Sequence, residues 1–482
     1  MKHTAHTYDA IIIGGGLGGL TCALALRRKG KKVRLLEKIH MVGGYQGFFK
    51  RKGFLFEPCF HSVAEASADG AIMRVMASLE LKETPNFVKL DPIVRFIFPD
   101  QTFTMPSNLE DYQSLLKKNF PQESSGIEKI FKTMNEIYQG VGRFPERDAI
   151  IDRYSGMVFQ QILDEFIFNK RLRAIISGFW GYLGLPPSRA SALLFSAWFS
   201  SLSSKGSYLP QGGISRLVKY LEKIIIEKGG EISLNCPVKK ILVKDEKAYG
   251  VLLESGEEIK GKVIVSNVDA TTTFFQMVGE EHLPPSFTLQ LKTLQCALSS
   301  FSVFLGIKNG NTIPQDLAAT NLIIYPDDEL DRQYQAILRG TLEKIPYCLT
   351  IPTLLNPSLA PQGHHIITLY TPIPYRPEGI TSWKEKKEEY TERLINLAEK
   401  VIPGLTQQVV VREAATPDTL VRFTGNSKGA VGGWDYTPDT DIQRPPNKTP
   451  IEGLWLTGHW TFPGIGIHNV MQSGLLTASF IP

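Results

Sequence analysis

The stretch "YDAIIIGGGLGGLTCALALRRKGKKVRLLEK", residues 8–38, constrains the fold more than any other part of this chain. Ile11, Ile12 and Ile13 form a short β-branched run suited to a buried parallel strand. Gly14, Gly16 and Gly19 take the glycine positions of G-x-G-x-x-G, with Leu17 and Gly18 between the last two. Gly14 permits the tight turn, Gly16 lets backbone approach a pyrophosphate, and Gly19 lets the next helix pack close to the strand. A helix from Leu17 to Lys29, ended near Gly30, turns free N–H groups and a positive dipole end toward the phosphates. A second strand, Val33 to Leu36, carries Glu37 at its tip. An acid there accepts hydrogen bonds from a ribose and repels the 2′-phosphate of NADP. Glycine runs alone also make turns; here strand, turn, helix, strand and acid occur in order.

At 482 residues the chain is long enough for about three domains of ~150 residues each, fewer if domains interleave. Hydrophobic content of 43% with 21% charged residues describes a folded globular protein rather than a disordered or fibrous one. A net charge of +5 is too modest to point to nucleic acid, though it leaves room for weak attraction to anionic lipid. Cys22, Cys59, Cys236, Cys296 and Cys348 are odd in number, scattered, and free of any C-x-x-C pair. That usage fits a reducing compartment and argues against a disulfide framework or a structural zinc. No signal-peptide pattern precedes the first strand, and no run of 18 apolar residues occurs, so the expectation is a cytoplasmic protein or one lying on a membrane surface.

The fingerprint alone does not separate FAD from NAD. After Glu37 and Lys38 comes "MVGGYQG", in which Gly43 and Gly44 repeat the need for close backbone approach. Here the chain resembles the superfamily of flavin-dependent amine oxidases and phytoene desaturases, where G-x-G-x-x-G, an acid and a downstream Gly-Gly pair bind FAD. The family usually has arginine after the pair, but this chain has Tyr45, so no cation contact to the flavin phosphates is expected at that position. "KGFLFEPCFHSV" resembles the family's GFxFDxG element, with Glu57 for Asp and Cys59 for Gly. Further on, the resemblance places the backbone of Val238 at the adenine, and "VIVSN" resembles the strand that ends near the flavin.

The end of the chain, "GLWLTGHWTFPGIGIHNVMQSGLLTAS", resembles the closing motif of bacterial-type phytoene desaturases, carotenoid cis-trans isomerases and retinol saturases. "ATPDTLVRFTGNSKGAVGGWDYTPDT" before it is similar to the same enzymes. Leu454 to Thr457 reads as a strand, Gly458 lets backbone meet cofactor, and Gly464 and Gly466 make a turn into a helix from about His468. That helix's N-terminal N–H groups, Ile467 and His468 among its first residues, would face the flavin and favour an anionic reduced ring by on the order of 1 kcal/mol. His459 and His468 lie nine apart across a Pro-Gly turn without a third ligand pattern, so no metal is expected. Ser473 sits in no G-x-S-x-G elbow. His459 reads first as a flavin phosphate or ribityl contact; His459 and Trp460 are also the candidate catalytic pair.

The resemblance implies an α/β fold in which a Rossmann-like FAD-binding domain of the GR2 flavoprotein type, from 1–75, 208–275 and 445–482, interleaves with a mixed-sheet plus helical substrate domain from 76–207 and 276–444. Within the second, residues 109–140 read as helical, with Ile127, Ile130, Phe131, Met134, Ile137 and Tyr138 recurring at i, i+3, i+4 spacing. Residues 159–202 read as a pair of helices, either core or an amphipathic face that lies on a bilayer and admits lipid substrate, with Lys170, Arg171, Arg173 and Arg189 among the apolar residues. Strands are expected at 297–307 and 365–371 and a charged helix at 381–402. No second strand-GxGxxG-helix unit occurs, so electrons reach the flavin from substrate or a diffusing donor, or leave to quinone or oxygen. The function implied is FAD-dependent desaturation, isomerisation or saturation of a long isoprenoid polyene, a hydrophobic small molecule. A flavin amine oxidase and a flavin-binding membrane partner without turnover are the alternatives.

Overall fold

The computed structural model of the chain describes residues 7–59, 62–141, 148–308, 313 and 321–482. Five parallel strands run in the order Glu231–Ser233, Val33–Leu36, Tyr8–Ile13, Glu258–Ser266 and Leu454–Leu456. Tyr8–Ile13 is central because both of its faces are apolar. Ile12 joins a core with Leu20, Leu24, Leu217 and Met471, beneath the helices Leu17–Arg28, Ile214–Glu227 and Ile467–Phe480. Ile11 and Ile13 point the other way, into a core with Ile264, Trp434 and Trp460. The antiparallel strands Val238–Lys244 and Lys247–Leu253 extend from the outer half of Glu258–Ser266. The first and last helices are locked together at Gly474, where an added Cβ would lie 2.5 Å from Gly18 O and 2.8 Å from Thr21 Cβ. Lys29 closes the same contact by donating from Nζ to the carbonyls of Ala478 and Ile481 at 2.7 and 2.8 Å.

A second sheet has seven strands, ordered Val409–Ala415, Ser299–Lys308, His364–Ile373, Tyr347–Thr350, Asn321–Ile324, Val94–Ile97 and Thr102–Met105. All neighbours are antiparallel except Asn321–Ile324 with Val94–Ile97. Helices and sheet share one apolar core that includes Phe96, Phe131, Phe159, Trp180, Phe195, Phe301 and Trp383. Between the large sheets lies a small one, Val63–Ala64, Ser207–Pro210 and Phe87–Lys89. The strands expected at 297–307 and 365–371 are Ser299–Lys308 and His364–Ile373, and the charged helix is Trp383–Val401, capped by the Ser382 side chain on Lys384 N–H.

Two helical expectations need correction. Residues 109–140 form two helices, Leu109–Asn119 and Ser124–Val141, because Pro121 cannot continue the first and starts a short 3₁₀ turn instead. Residues 159–202 form four helices rather than two: Phe159–Phe166, Lys170–Ile176, Trp180–Leu183 and Ala192–Lys205. Asn169 and Ser191 cap new starts with their side chains, and Gly184 ends the third in a left-handed turn at φ +77. The basic residues there are engaged: Lys170 with Glu329, Arg171 with Asp100 and Asp328, Arg173 with Asp164, and Arg189 over the Tyr334 ring. No helix among the described residues is long and apolar enough to cross a membrane.

Candidate active site

The glycine loop is shaped by backbone rather than by side chains. Gly14 holds φ +95, which a side chain would strain, and its N–H donates to Leu36 O at 2.8 Å. Glu37 fixes the loop from the next strand, its carboxylate accepting from Gly15 N–H at 2.7 Å and Ile39 N–H at 3.0 Å. Gly43 N–H donates to Gly15 O at 2.8 Å, and a Cβ on Gly44 would touch Gly16 Cα at 3.4 Å. The two glycine motifs therefore form one continuous backbone surface. Gly19 stands behind it: a Cβ there would overlap Gly14 O, which is the close helix–strand packing expected of it.

Asn267, the residue after Glu258–Ser266, occupies the middle of this surface. Its Nδ2 donates to Gly14 O at 3.2 Å. A Cβ on Gly16 would lie 2.9 Å from that Nδ2, and one on Gly18 2.7 Å from its Oδ1 and 3.0 Å from Gly458 Cα. The closing motif thus meets the opening one at Gly18, Asn267 and Gly458. Sequence reasoning reached "VIVSN" but not the asparagine's part, because nothing local marks a side chain that only fits when four glycines surround it. Ser473, buried at the back, accepts from Gly458 N–H at 3.0 Å and Asn447 Nδ2 at 3.1 Å.

A cavity of about 780 Å³ opens over this surface. Gly14, Gly16, Leu17, Gly18, Glu37, Lys38, Gly43, Gly44, Tyr45 and Val238 line it from the nucleotide sheet, with Asn267. Gly458, His459, Gly466, Ile467 and His468 line it from the closing motif. Gly19 and Trp460 do not line it. Trp460 is buried in the core beneath, packed edge-on against Trp434 at 4.8 Å. Beyond the closing motif the cavity continues between Ile93, Phe179, Tyr182, Leu183, Trp198, Leu202 and Tyr370, all from the second sheet and its helices. None of these was named singly from sequence: Phe179, Tyr182, Leu183, Trp198 and Leu202 lie in the stretch 159–202, read there as core or as a bilayer face, and Ile93 and Tyr370 lie far from it.

Burial sets the charge states. It pushes the His459 imidazole down to about 4, helped by the Arg444 guanidinium, whose Nη1 donates to His459 O at 3.1 Å. His468 is also pushed down to about 4 by burial, the nearby Glu65 opposing and Arg74 assisting. Both rings are neutral at pH 7. Lys38 is lowered by burial against the pull of Glu37, and burial raises the thiol of Cys59 to about 12, so neither an easily formed thiolate nor a histidinium faces the cavity. Tyr45 donates to Ala430 O at 2.7 Å and sets its ring edge-on to His459 at 5.9 Å. Among the described residues no group of three His, Cys, Asp or Glu side chains could hold a metal ion.

FAD fits this arrangement on one structural observation: two helices begin at the cavity wall, each on a glycine, with no side chain on their first N–H groups and no acid in their first turns. They are Leu17–Arg28 on Gly16 and Ile467–Phe480 on Gly466. Unsatisfied N–H groups at helix starts bind anionic or carbonyl oxygen, which a dinucleotide diphosphate and a flavin ring both present. Glu37 would hold the ribose, and the glycine surface would admit the phosphates.

The chain belongs to the family of flavin containing amine oxidoreductases, whose pattern matches residues 17–481. It is an FAD-dependent oxidoreductase. It is 31% identical to prolycopene isomerase 1 of an Oncidium hybrid cultivar, covering 98% of this chain and 84% of the relative. Lower identities relate it to all-trans-retinol 13,14-reductase of Danio rerio, 26% over 93% and 82% of the two chains, and to the neurosporene-forming phytoene desaturase of Rhodobacter capsulatus, 24% over 100% and 95%. Its fold is similar to a solved oxidoreductase from Methanosarcina mazei, with a TM-score of 0.70 at 18% identity over 98% of this chain and 99% of the other.

Proposed function

We propose that this oxidoreductase acts on a long isoprenoid polyene, and that its reaction is cis-trans isomerisation of C=C bonds. The observation that carries the polyene is the aromatic and aliphatic end of the cavity, from Ile93 to Tyr370, continuous with the nucleotide end. The charged residues lining the cavity lie elsewhere. Glu37 and Lys38 follow the strand Val33–Leu36, Lys239 lies in Val238–Lys244, Glu254 follows Lys247–Leu253, and Lys428 follows Ser427, whose N–H donates to Asp269. A substrate with no charge to match is what such a wall selects. Relatives named as an isomerase, a reductase and a desaturase match 93% or more of this chain, and the 31% relative favours the first.

Bound FAD supplies transfer of a hydride equivalent. The protein positions the chain between Phe179, Tyr182 and Trp198 and excludes water. His459, neutral and on the cavity wall, offers a hydrogen bond at the join of the two ends. The stretches 1–75, 208–275 and 445–482 act in this reading as the FAD-binding domain and the remainder as the substrate domain. Access from a membrane surface belongs to the same reading: Phe168 is 81% exposed at the turn between two helices. Incubating FAD-loaded protein with a cis-configured polyene and weighing the product decides the reaction. An isomer of unchanged mass is expected; loss of two hydrogens would make it a desaturase, gain of two a saturase, and turnover of an amine alone would overturn the polyene.

A further inference from the structure

We infer that Trp460, although outside the cavity, is a positioning residue that fixes the tautomer of His459 through Asn426. The inference rests on the placement of His459 in the cavity wall and deepens the proposed function. Trp460 Nε1 stands 2.9 Å from Asn426 Oδ1, and an indole nitrogen can only donate. The side-chain amide of Asn426 is therefore held with its oxygen on the tryptophan, and its NH₂ is turned the other way. There Nδ2 faces His459 Nε2 at 3.5 Å, the long end of hydrogen-bond range. An NH₂ group donates, so Nε2 accepts, and the one proton of the neutral ring sits on Nδ1.

The rest of the setting makes this a built device. Trp460 cannot turn away, because Trp434 packs edge-on against it and donates from Nε1 to Trp460 O at 3.1 Å. Asn426 is 4% exposed and lines the cavity wall beside His459. On the Cδ2 side of the imidazole, a Cβ on Gly433 would lie 3.0 Å from that carbon, which leaves Nδ1–Cε1 as the edge that neither Gly433 nor Asn426 covers in this cavity-lining residue. The titratable and charged groups against the ring are Tyr45, whose hydroxyl donates to Ala430 O and also hydrogen-bonds with the Asn426 side chain, and Arg444, which holds His459 O. Neither gives Nε2 a competing acceptor. The site thereby presents a single N–H donor toward cofactor and substrate, rather than a lone pair.

The test is ¹⁵N-histidine NMR of the FAD-loaded protein, with the His459 signals assigned by their absence in His459→Gln. The expected spectrum has Nε2 at the unprotonated, pyridine-type shift and Nδ1 at the protonated, pyrrole-type shift. Asn426→Asp keeps an acceptor for the indole but gives Nε2 only acceptors, so the two shifts should exchange or both become pyrrole-type as the ring takes up a proton. Trp460→Phe keeps the ring packing and frees the amide, so the two tautomers should mix. A protonated Nε2 in the parent protein, or an unchanged spectrum in Asn426→Asp, overturns the inference. FAD content measured on the same samples reads the cofactor site separately: protein that takes up no FAD contradicts the proposed function and leaves the tautomer readable in the apoprotein.

Discussion

The two ends of the cavity are built from different materials. At the nucleotide end the wall is main chain: Gly14, Gly16, Gly18 and Gly458 meet around one asparagine, and a Cβ on Gly16, Gly18 or Gly458 would collide with its side chain, one on Gly14 with Val268. At the other end the wall is side chain: Phe179, Tyr182, Trp198 and Tyr370 fill space from helices and a strand far apart in sequence. A backbone wall tolerates almost no substitution but recognises any ligand with the right phosphates. A side-chain wall tolerates substitution and changes its ligand when it does. Conserving cofactor while varying substrate is what that division permits.

The largest effect that sharpens the contrast is a pH dependence at the join. His468 is the buried side chain among the backbone donors of the final helix, neutral because burial takes it from 6.5 to about 4. Its folded value lies below its unfolded one, so the stability it carries is complete above about pH 6.5 and is lost as pH falls from there toward 4. Replacing it by glutamine should remove on the order of 3 kcal/mol of the difference in stability between the two ends of that window, read by urea denaturation at each pH. Parallel pH slopes for parent and His468→Gln would show that the ring is solvated in the folded protein.

Next in size is Gly18→Ala. Its methyl would press on Asn267 Oδ1 and Gly458 Cα and part the two motifs. FAD binding should weaken roughly a hundredfold, about 2.7 kcal/mol, in a titration followed by flavin fluorescence. Trp198→Ala at the opposite end should leave FAD binding intact and cut polyene turnover by roughly tenfold or more, from lost apolar contact worth about 1.5–3 kcal/mol. If Trp198→Ala lost FAD and Gly18→Ala kept it, the assignment of the two ends would be reversed. Smallest is Phe168→Ser, which should change stability by no more than about 0.5 kcal/mol and reduce co-sedimentation with anionic lipid vesicles. Unchanged co-sedimentation would remove the membrane from the proposed route of access.

The same division explains what could be read beforehand. Backbone geometry leaves local marks, so "GGGLGG", Glu37, Gly43-Gly44 and "TGHWTFPGIGIHN" were legible, and the structure brings Gly14, Gly16, Gly18, Glu37, Gly43, Gly44, Gly458, His459, Gly466 and His468 to one cavity. Side-chain walls leave no such marks: Phe179 or Tyr370 is indistinguishable from core until the second sheet folds beside the first. Trp460 shows the converse. Adjacent to His459 in sequence, it turns its ring into the core beneath, packed against Trp434. The helix breaks at Pro121 and Gly184 were visible as residues but were outweighed by apolar periodicity on either side.

The account stands on one cavity serving two ligands, cofactor at the backbone end and polyene at the aromatic end. Titrating FAD-loaded protein with a cis-configured polyene in the dark, without oxygen, and recording the flavin absorption tests it most directly. The spectrum should shift in proportion to polyene bound and saturate at one equivalent, and in Trp198→Ala the same shift should require roughly tenfold or more polyene. A flavin spectrum indifferent to polyene in the parent protein but bleached by an amine would contradict it.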